Sequence, residues 1–336
     1  MLSDTYSFSD SLHLYVQTAF LGGFAAIISF VLLRKDKVKQ IVPWLRTILA
    51  FILAFLLIKY GLEKWTQLQF PAPPPNILHS EVGTLDKDIL FWSLMGTSKA
   101  YAGFMGFVEI FAGLLLFFRK TRLIGGFFAL GIFANVFALN VGFDITVKLL
   151  SLALLLTSLY IITPSLRSLY QLLSSKEVDP IQSRHIEIKP IMHRLLKGVA
   201  VTLILLECIL PLFDKNFSIP SDKSLNHQTY AVVATQHYPD GIAPLNYKHL
   251  HFHPHGFLIT ETFDGQFQSY PIQHPEGANQ FKLNKSSHAI VVVRNGDEWI
   301  FIQKNQLLWR CKRVRNEALP LLQDDFHWTV EGMLPK

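Results

Sequence analysis

Cysteine, charge and familiar catalytic patterns are all scarce in this chain of 336 residues. The two cysteines, Cys208 in an apolar run and Cys311 in the C-terminal region, sit in unlike surroundings. Neither a disulfide framework nor a cysteine-based metal site is therefore supported. Charged residues make up only 17% of the chain, where an ordinary soluble domain carries about 25%. The N-terminus, MLSDTYSFSD, is acidic and has no basic n-region, which argues against a cleavable signal peptide. No Ser-His-Asp or paired-carboxylate arrangement can be picked out in the C-terminal region. Nothing in the chain matches a haem ligand pair, a flavin fingerprint or an iron–sulfur cluster, so any redox cofactor is a diffusible molecule or belongs to a partner.

What the chain has instead is apolar bulk: half its residues are hydrophobic and 27 are Phe. They fall in runs before Phe213, and each run near 12–33, 44–62, 99–118, 123–142, 146–163 and 192–213 is about the length of a membrane span. After Phe213 the composition is that of a soluble domain, with 12 Lys/Arg against 12 Asp/Glu. The net charge of +6 thus belongs wholly to the apolar part, 19 basic residues against 13 acidic. It is an orientation signal, not a nucleic-acid footprint. Three alternate loops, 34–46, 119–122 and 164–197, hold 14 of those 19 basic residues, which predicts that they are cytoplasmic. The N-terminus, the 63–98 loop, the 143–145 turn and the C-terminal region are then expected outside. The expected organisation is a membrane bundle over 1–175, a cytoplasmic linker over 176–191, a sixth span at 192–213 and an outer β domain over 214–336. The lipid bilayer is the expected environment, in a bacterial inner membrane, and nucleic acid is not an expected partner.

The 63–98 loop contains Phe70-Pro71-Ala72-Pro73-Pro74-Pro75, which must be extended. It reads as a stiff cap across the outer helix ends, or alternatively as a peptide-recognition element. From about 225 the pattern changes to short strands: 230–235, 249–253, 256–263, 266–271, 289–294, 299–304 and 307–312. Asp264-Gly265, Asn295-Gly296-Asp297 and Asn305 mark hairpin turns between them. This predicts a small antiparallel barrel or sandwich. Within it, His249, His251, His253 and His255 alternate toward one face of a strand, although Pro254 would end the strand before His255 could join. Imidazoles at that spacing suit copper or zinc; the competing reading is a solvated polar face, with Leu250 and Phe252 turned inward.

Ionisable residues within apolar runs are costly and are treated as candidate functional groups. Glu109 lies mid-span on the same helical side as Ala102, Gly106 and Gly113, so it faces the bundle interior. It is protonated there unless a cation is near. Lys59, Glu63, Lys64 and Tyr101 lie toward the same expected membrane face, as do Asn135, Asn140, Asp144 and Lys148. The reading gathers them around one outward-facing pocket. The alternatives are snorkelling for the lysines and interhelical hydrogen bonding for the asparagines. Glu207, in the last run, is weighted as structural.

These residues carry a resemblance. Lys59-Tyr60-Gly61-Leu62-Glu63-Lys64, then Gln69-Phe70-Pro71, then Tyr101-x-x-Phe104-x-Gly106-x-x-Glu109 follow in order. Gly113-Leu114-Leu115-Leu116-Phe117-x-Arg119-x-Thr121, Asn135, Asn140, Asp144 and Lys148 complete the set. Together they resemble the DoxX-like membrane proteins, particularly longer bacterial members with an outer C-terminal domain. The closing Phe326-His327-Trp328-Thr329-Val330-Glu331 resembles the end of such proteins. The resemblance covers roughly a third of the chain and implies a four-helix membrane core. It also implies a setting in redox metabolism, in which some relatives are subunits of quinone-linked systems, but it supplies no catalytic residue. The expected function is a membrane subunit that binds a quinone or another lipid-soluble molecule and has redox partner subunits. A transporter, or an assembly or sensor protein acting through the outer domain, are the alternatives.

Overall fold

A computed structural model of the chain describes residues 38–174, 228–239, 242–253, 256–273, 280–283 and 288–322, with the single positions 198, 199, 202, 225 and 286. The expected span 12–33, the linker 176–191, nearly all of 192–213 (Glu207 and Cys208 included), His255 and the closing sequence 326–331 lie outside the described residues. The described residues form two compact units. One holds the long apolar helices; the other joins Pro71–Ser98 to the strands of the C-terminal region.

In the helical unit, α1 (Val38–Trp65), α4 (Lys99–Phe117), α5 (Arg122–Gly142) and α6 (Lys148–Leu173) are the four long helices. Each contains a stretch of 19 to 24 residues apolar enough to cross a membrane. At 1.5 Å per residue, such a stretch spans roughly 30 Å, the thickness of the hydrocarbon layer. These stretches match four of the spans predicted from sequence. The helices pack in a ring, α1 on α4, α4 on α5, α5 on α6 and α6 back on α1. Phe104, Phe107, Phe111, Leu114, Phe118 and Phe128 point away from this ring and are exposed. A helix bathed in water would carry polar residues on that face, so the exposed phenylalanines mark a lipid-facing surface.

Small residues govern the α1–α4 contact. A Cβ on Gly106 would lie 2.5 Å from the Gly61 carbonyl oxygen, and one on Gly61 would lie 2.6 Å from the Gly106 carbonyl oxygen. The two backbones therefore touch at this level, and neither glycine admits any side chain. Gly113 repeats the approach two turns on, against the Ala54 carbonyl oxygen and Ile58.

In the second unit, α2 (Pro75–Leu78) and α3 (Lys87–Thr97) belong to the segment that the sequence reading took for a cap on the helix ends. The structure packs α2 against the second strand of the barrel. Eight antiparallel strands make the barrel: β1 (Thr229–Thr235), β2 (Tyr247–His253), β3 (Phe257–Thr262), β4 (Phe267–Gln273), β5 (Gln280–Leu283), β6 (Ile290–Asn295), β7 (Glu298–Gln303) and β8 (Gln306–Val314). Each pairs with the next, and β1 pairs with β8 to close the ring. Seven of these strands match the sequence reading. The eighth, β5, is only four residues long and has no β-branched residue to announce it. Gly265, Gly296, Lys304 and Asn305 all have positive φ, the backbone state that tight hairpin turns require.

Eight strands leave an interior just wide enough for side chains to fill. Here aromatic rings fill it. Phe252 packs on Tyr230, Phe281 and Phe301, and Phe301 on Trp309, with centroids 5.2 to 6.1 Å apart. All five residues are fully buried. The barrel is thus a packed core rather than a lumen.

The α1–α4 contact can be tested by substitution. Gly106→Leu must push the helices apart, with an expected loss of roughly 1–3 kcal/mol. Gly103→Leu, where an added Cβ meets nothing within 4 Å, is expected to leave stability unchanged. Thermal unfolding of the two variants in detergent checks this.

Candidate functional site

The α1–α4 crossing positions the first polar group. Lys64 follows Gly61 by one turn on α1 and Glu109 follows Gly106 by one turn on the oppositely directed α4, and the close backbones let the two side chains meet across the contact. Lys64 Nζ donates to both carboxylate oxygens of Glu109, each at 2.8 Å. Both side chains are buried, at 7% and 4% relative exposure. The rings of Tyr60 and Phe70 stand 5.9 and 5.7 Å from the ammonium. The cation the sequence reading required for an ionised Glu109 is therefore Lys64.

Lys59 and Glu63 form a half-buried ion pair of 3.2 Å along α1. Asn140, Asp144 and Lys148 form a separate group at the α5–α6 turn. There Asp144 has φ of 56° and pairs with Lys148 at 2.8 Å. Asn140 Nδ2 donates to the Val147 carbonyl oxygen, and Lys148 Nζ to that of Ile145. Tyr101 and Asn135 are exposed. Among these residues the structure shows three polar groups: Lys64 with Glu109, Lys59 with Glu63, and Asn140 with Asp144 and Lys148.

The second polar group lies on the outer face of the barrel. β2 carries a bulge: Tyr247 opposes Thr262 and His249 opposes Glu261, so Lys248 is an extra residue. The bulge resets the alternation. Tyr247, Leu250 and Phe252 point inward, while His249 and His251 point outward beside Glu261 of β3. This outward face is not solvated. His251 has no exposed surface and the Glu261 side chain is 4% exposed.

Glu261 collects three donors. His249 Nδ1 reaches Oε2 at 2.7 Å, His251 Nε2 reaches the same oxygen at 3.2 Å, and Lys248 Nζ reaches Oε1 at 3.0 Å. Behind them, His251 Nδ1 is 3.0 Å from Thr229 Oγ1, which accepts from Asn316 Nδ2 at 3.2 Å. Asn316 Oδ1 is 3.0 Å from Nε2 of His79, at the end of α2. The His79 ring lies beside those of His249 and His251, with centroids 5.2 and 5.4 Å away.

Burial pushes His249 and His251 below the ordinary imidazole range, and the hydrogen bonds to Glu261 only partly offset it. Burial alone would raise the Glu261 carboxyl, but its bonds from His251, His249 and Lys248 outweigh it and bring it down to about 2. Near neutral pH the cluster therefore holds a carboxylate between uncharged imidazoles, the protonation state in which both act as metal ligands.

His253, grouped from sequence with His249 and His251, lies apart at the end of β2, against Phe257. Glu261 and His79 were missed. A hairpin drawn about position 255 pairs His249 with Glu261, so Glu261 was within reach of the sequence. His79 was not, because only packing against β2 brings it there.

Four membrane-length helices in a bundle, followed by an eight-stranded antiparallel barrel, define an integral membrane protein with a β domain appended. The chain belongs to the family of the uncharacterized protein YwoB of Bacillus subtilis (strain 168). The two are 31% identical over 130 residues, which is 39% of this chain and 82% of YwoB. No family model matches the chain, and no solved structure matches it.

The ion pair generates a prediction. Lys64→Met leaves the Glu109 carboxylate buried without its cation and is expected to destabilise the bundle by roughly 3 kcal/mol. Replacing both partners, Lys64→Met with Glu109→Leu, is expected to recover most of that loss, as read by unfolding in detergent.

Proposed function

We propose that the chain is a DoxX-like membrane subunit whose Lys64–Glu109 pair receives the head group of a quinone or a comparable lipid-soluble molecule. The observation that carries this reading is the arrangement of donors. An ammonium has three N–H groups; two are spent on the Glu109 oxygens, and the third is available to a carbonyl oxygen. The flat rings of Tyr60 and Phe70 beside it suit a planar ligand. A quinone would supply two-electron, two-proton redox chemistry. The chain's own part is to orient the head group through Lys64 and to hold or release a proton at Glu109. The transporter reading is less well supported. Beyond Glu109, α4 continues as Ile110-Phe111-Ala112-Gly113-Leu114-Leu115-Leu116-Phe117, which offers no polar path.

Mass spectrometry of small molecules retained by gently solubilised protein tests this. A quinone or isoprenoid lipid is expected with the wild type and absent from Glu109→Gln. Equal retention by both, or no ligand in either, would remove the proposal and leave the pair as a structural clamp between helices.

The orientation proposed is that of the basic loops, with the barrel away from the cytoplasm in a bacterial inner membrane. Its support is the composition of the barrel unit. Pro71–Ser98 follows α1 directly, and the strands follow α6. As parts of one compact unit, they share one side of the membrane. The helices α4, α5 and α6 carry the chain to the other side, so this reading needs one more crossing before β1, for which the sequence offers the apolar run 192–213. A membrane-impermeant maleimide added to cells with a permeable outer layer is expected to label Asp264→Cys but not Lys120→Cys. The reverse pattern would invert the topology.

A further inference from the structure

We infer that His249, His251 and Glu261 of the barrel, with His79 from the segment between α1 and α4, form a binding site for a zinc-type divalent ion. The inference is independent of what occupies the membrane site. One ring nitrogen each of His249 and His251 and a Glu261 oxygen all lie within 4.8 Å of one another. Two of the three converge on a single point, Glu261 Oε2. The three imidazole rings are mutually 5.2, 5.4 and 5.6 Å apart, centre to centre. Three imidazoles held tetrahedrally by nitrogens about 2.0–2.1 Å from one ion stand about 5 Å apart, so the rings already occupy that near-equilateral triangle.

The surroundings fit as well. A metal-bound imidazole has its second nitrogen held by a polar partner. His251 has Thr229 in that role, and His79 has Asn316. With His79 Nε2 donating to Asn316, its Nδ1 carries the lone pair that a ligand needs. Lys248 holds Oε1 of Glu261 and leaves Oε2 for the ion. On binding, the protons that His249 Nδ1 and His251 Nε2 direct at Glu261 move to the opposite ring nitrogens, and the vacated lone pairs bind the ion. Nitrogen and carboxylate donors without thiolate favour zinc and its first-row neighbours over calcium, magnesium or copper(I). With His79 as the fourth ligand, the site is structural rather than hydrolytic. Its effect is to fasten the Pro71–Ser98 segment to the β2–β3 hairpin.

The test uses full-length protein in detergent, purified without a histidine tag and stripped with chelator. Zinc chloride is titrated and bound zinc is counted by elemental mass spectrometry. One tightly held zinc per chain is expected. Affinity is expected to fall at least tenfold in His249→Gln, Glu261→Gln and His79→Gln, and to stay unchanged in His253→Gln. Near-UV circular dichroism of the aromatic core shows that each variant is folded. A variant that does not fold is set aside in favour of the wild type loaded with cobalt(II), whose visible bands should have four-coordinate intensity. The inference is overturned by no retained zinc, by loss equal in His253→Gln, or by only the weak bands of six-coordinate cobalt.

Discussion

A charge in hydrocarbon must be paired, screened or neutralised, and the membrane unit is arranged around that constraint. Lys64 and Glu109 meet because α1 and α4 touch at Gly61 and Gly106, between them. The contact and the pair are one device. Without side chains at the glycines the backbones come close enough for a bidentate bond, and with the bond formed neither charge faces lipid. Buried ion pairs add little net stability over apolar packing, so the pair is better understood as fixing which helices meet, and at what register. Its polar atoms are also the place where a ligand head group can compete.

The barrel meets a different constraint. Its interior is filled by rings, so any chemistry it has must lie on its outer surface, where water would normally solvate histidines. The Pro-rich segment changes that surface. By packing α2 against β2 it dries one patch of the barrel wall and brings a third imidazole to it. The bulge at Lys248 sets which side chains face that patch.

Much of this was legible in the residues themselves. Four of the spans follow from apolar length, and the inward side of α4 from the spacing of Ala102, Gly106, Glu109 and Gly113. Seven strands follow from alternation and turn residues. What stayed hidden was determined by packing between distant segments. Lys64 could not be chosen over Lys59 as the partner of Glu109, since the choice depends on the rotation of α1 against α4. His79 gave no local sign of its place, because nothing in a short proline-led helix says which strand it will cover.

The barrel unit draws one piece from between two membrane helices and the rest from after the last. During synthesis, the Pro71–Ser98 segment is made long before β1, and on the proposed topology it must wait while α4, α5, α6 and one further crossing are inserted. The ring closes only when β8 has emerged to pair with β1. On the proposed topology, a chain threaded with one helix too few or too many would strand the early piece and the late strands on opposite faces of the bilayer, and the unit could not assemble. The completed domain is therefore a record that insertion went correctly, and a misthreaded chain would expose unfinished strands to quality-control proteases.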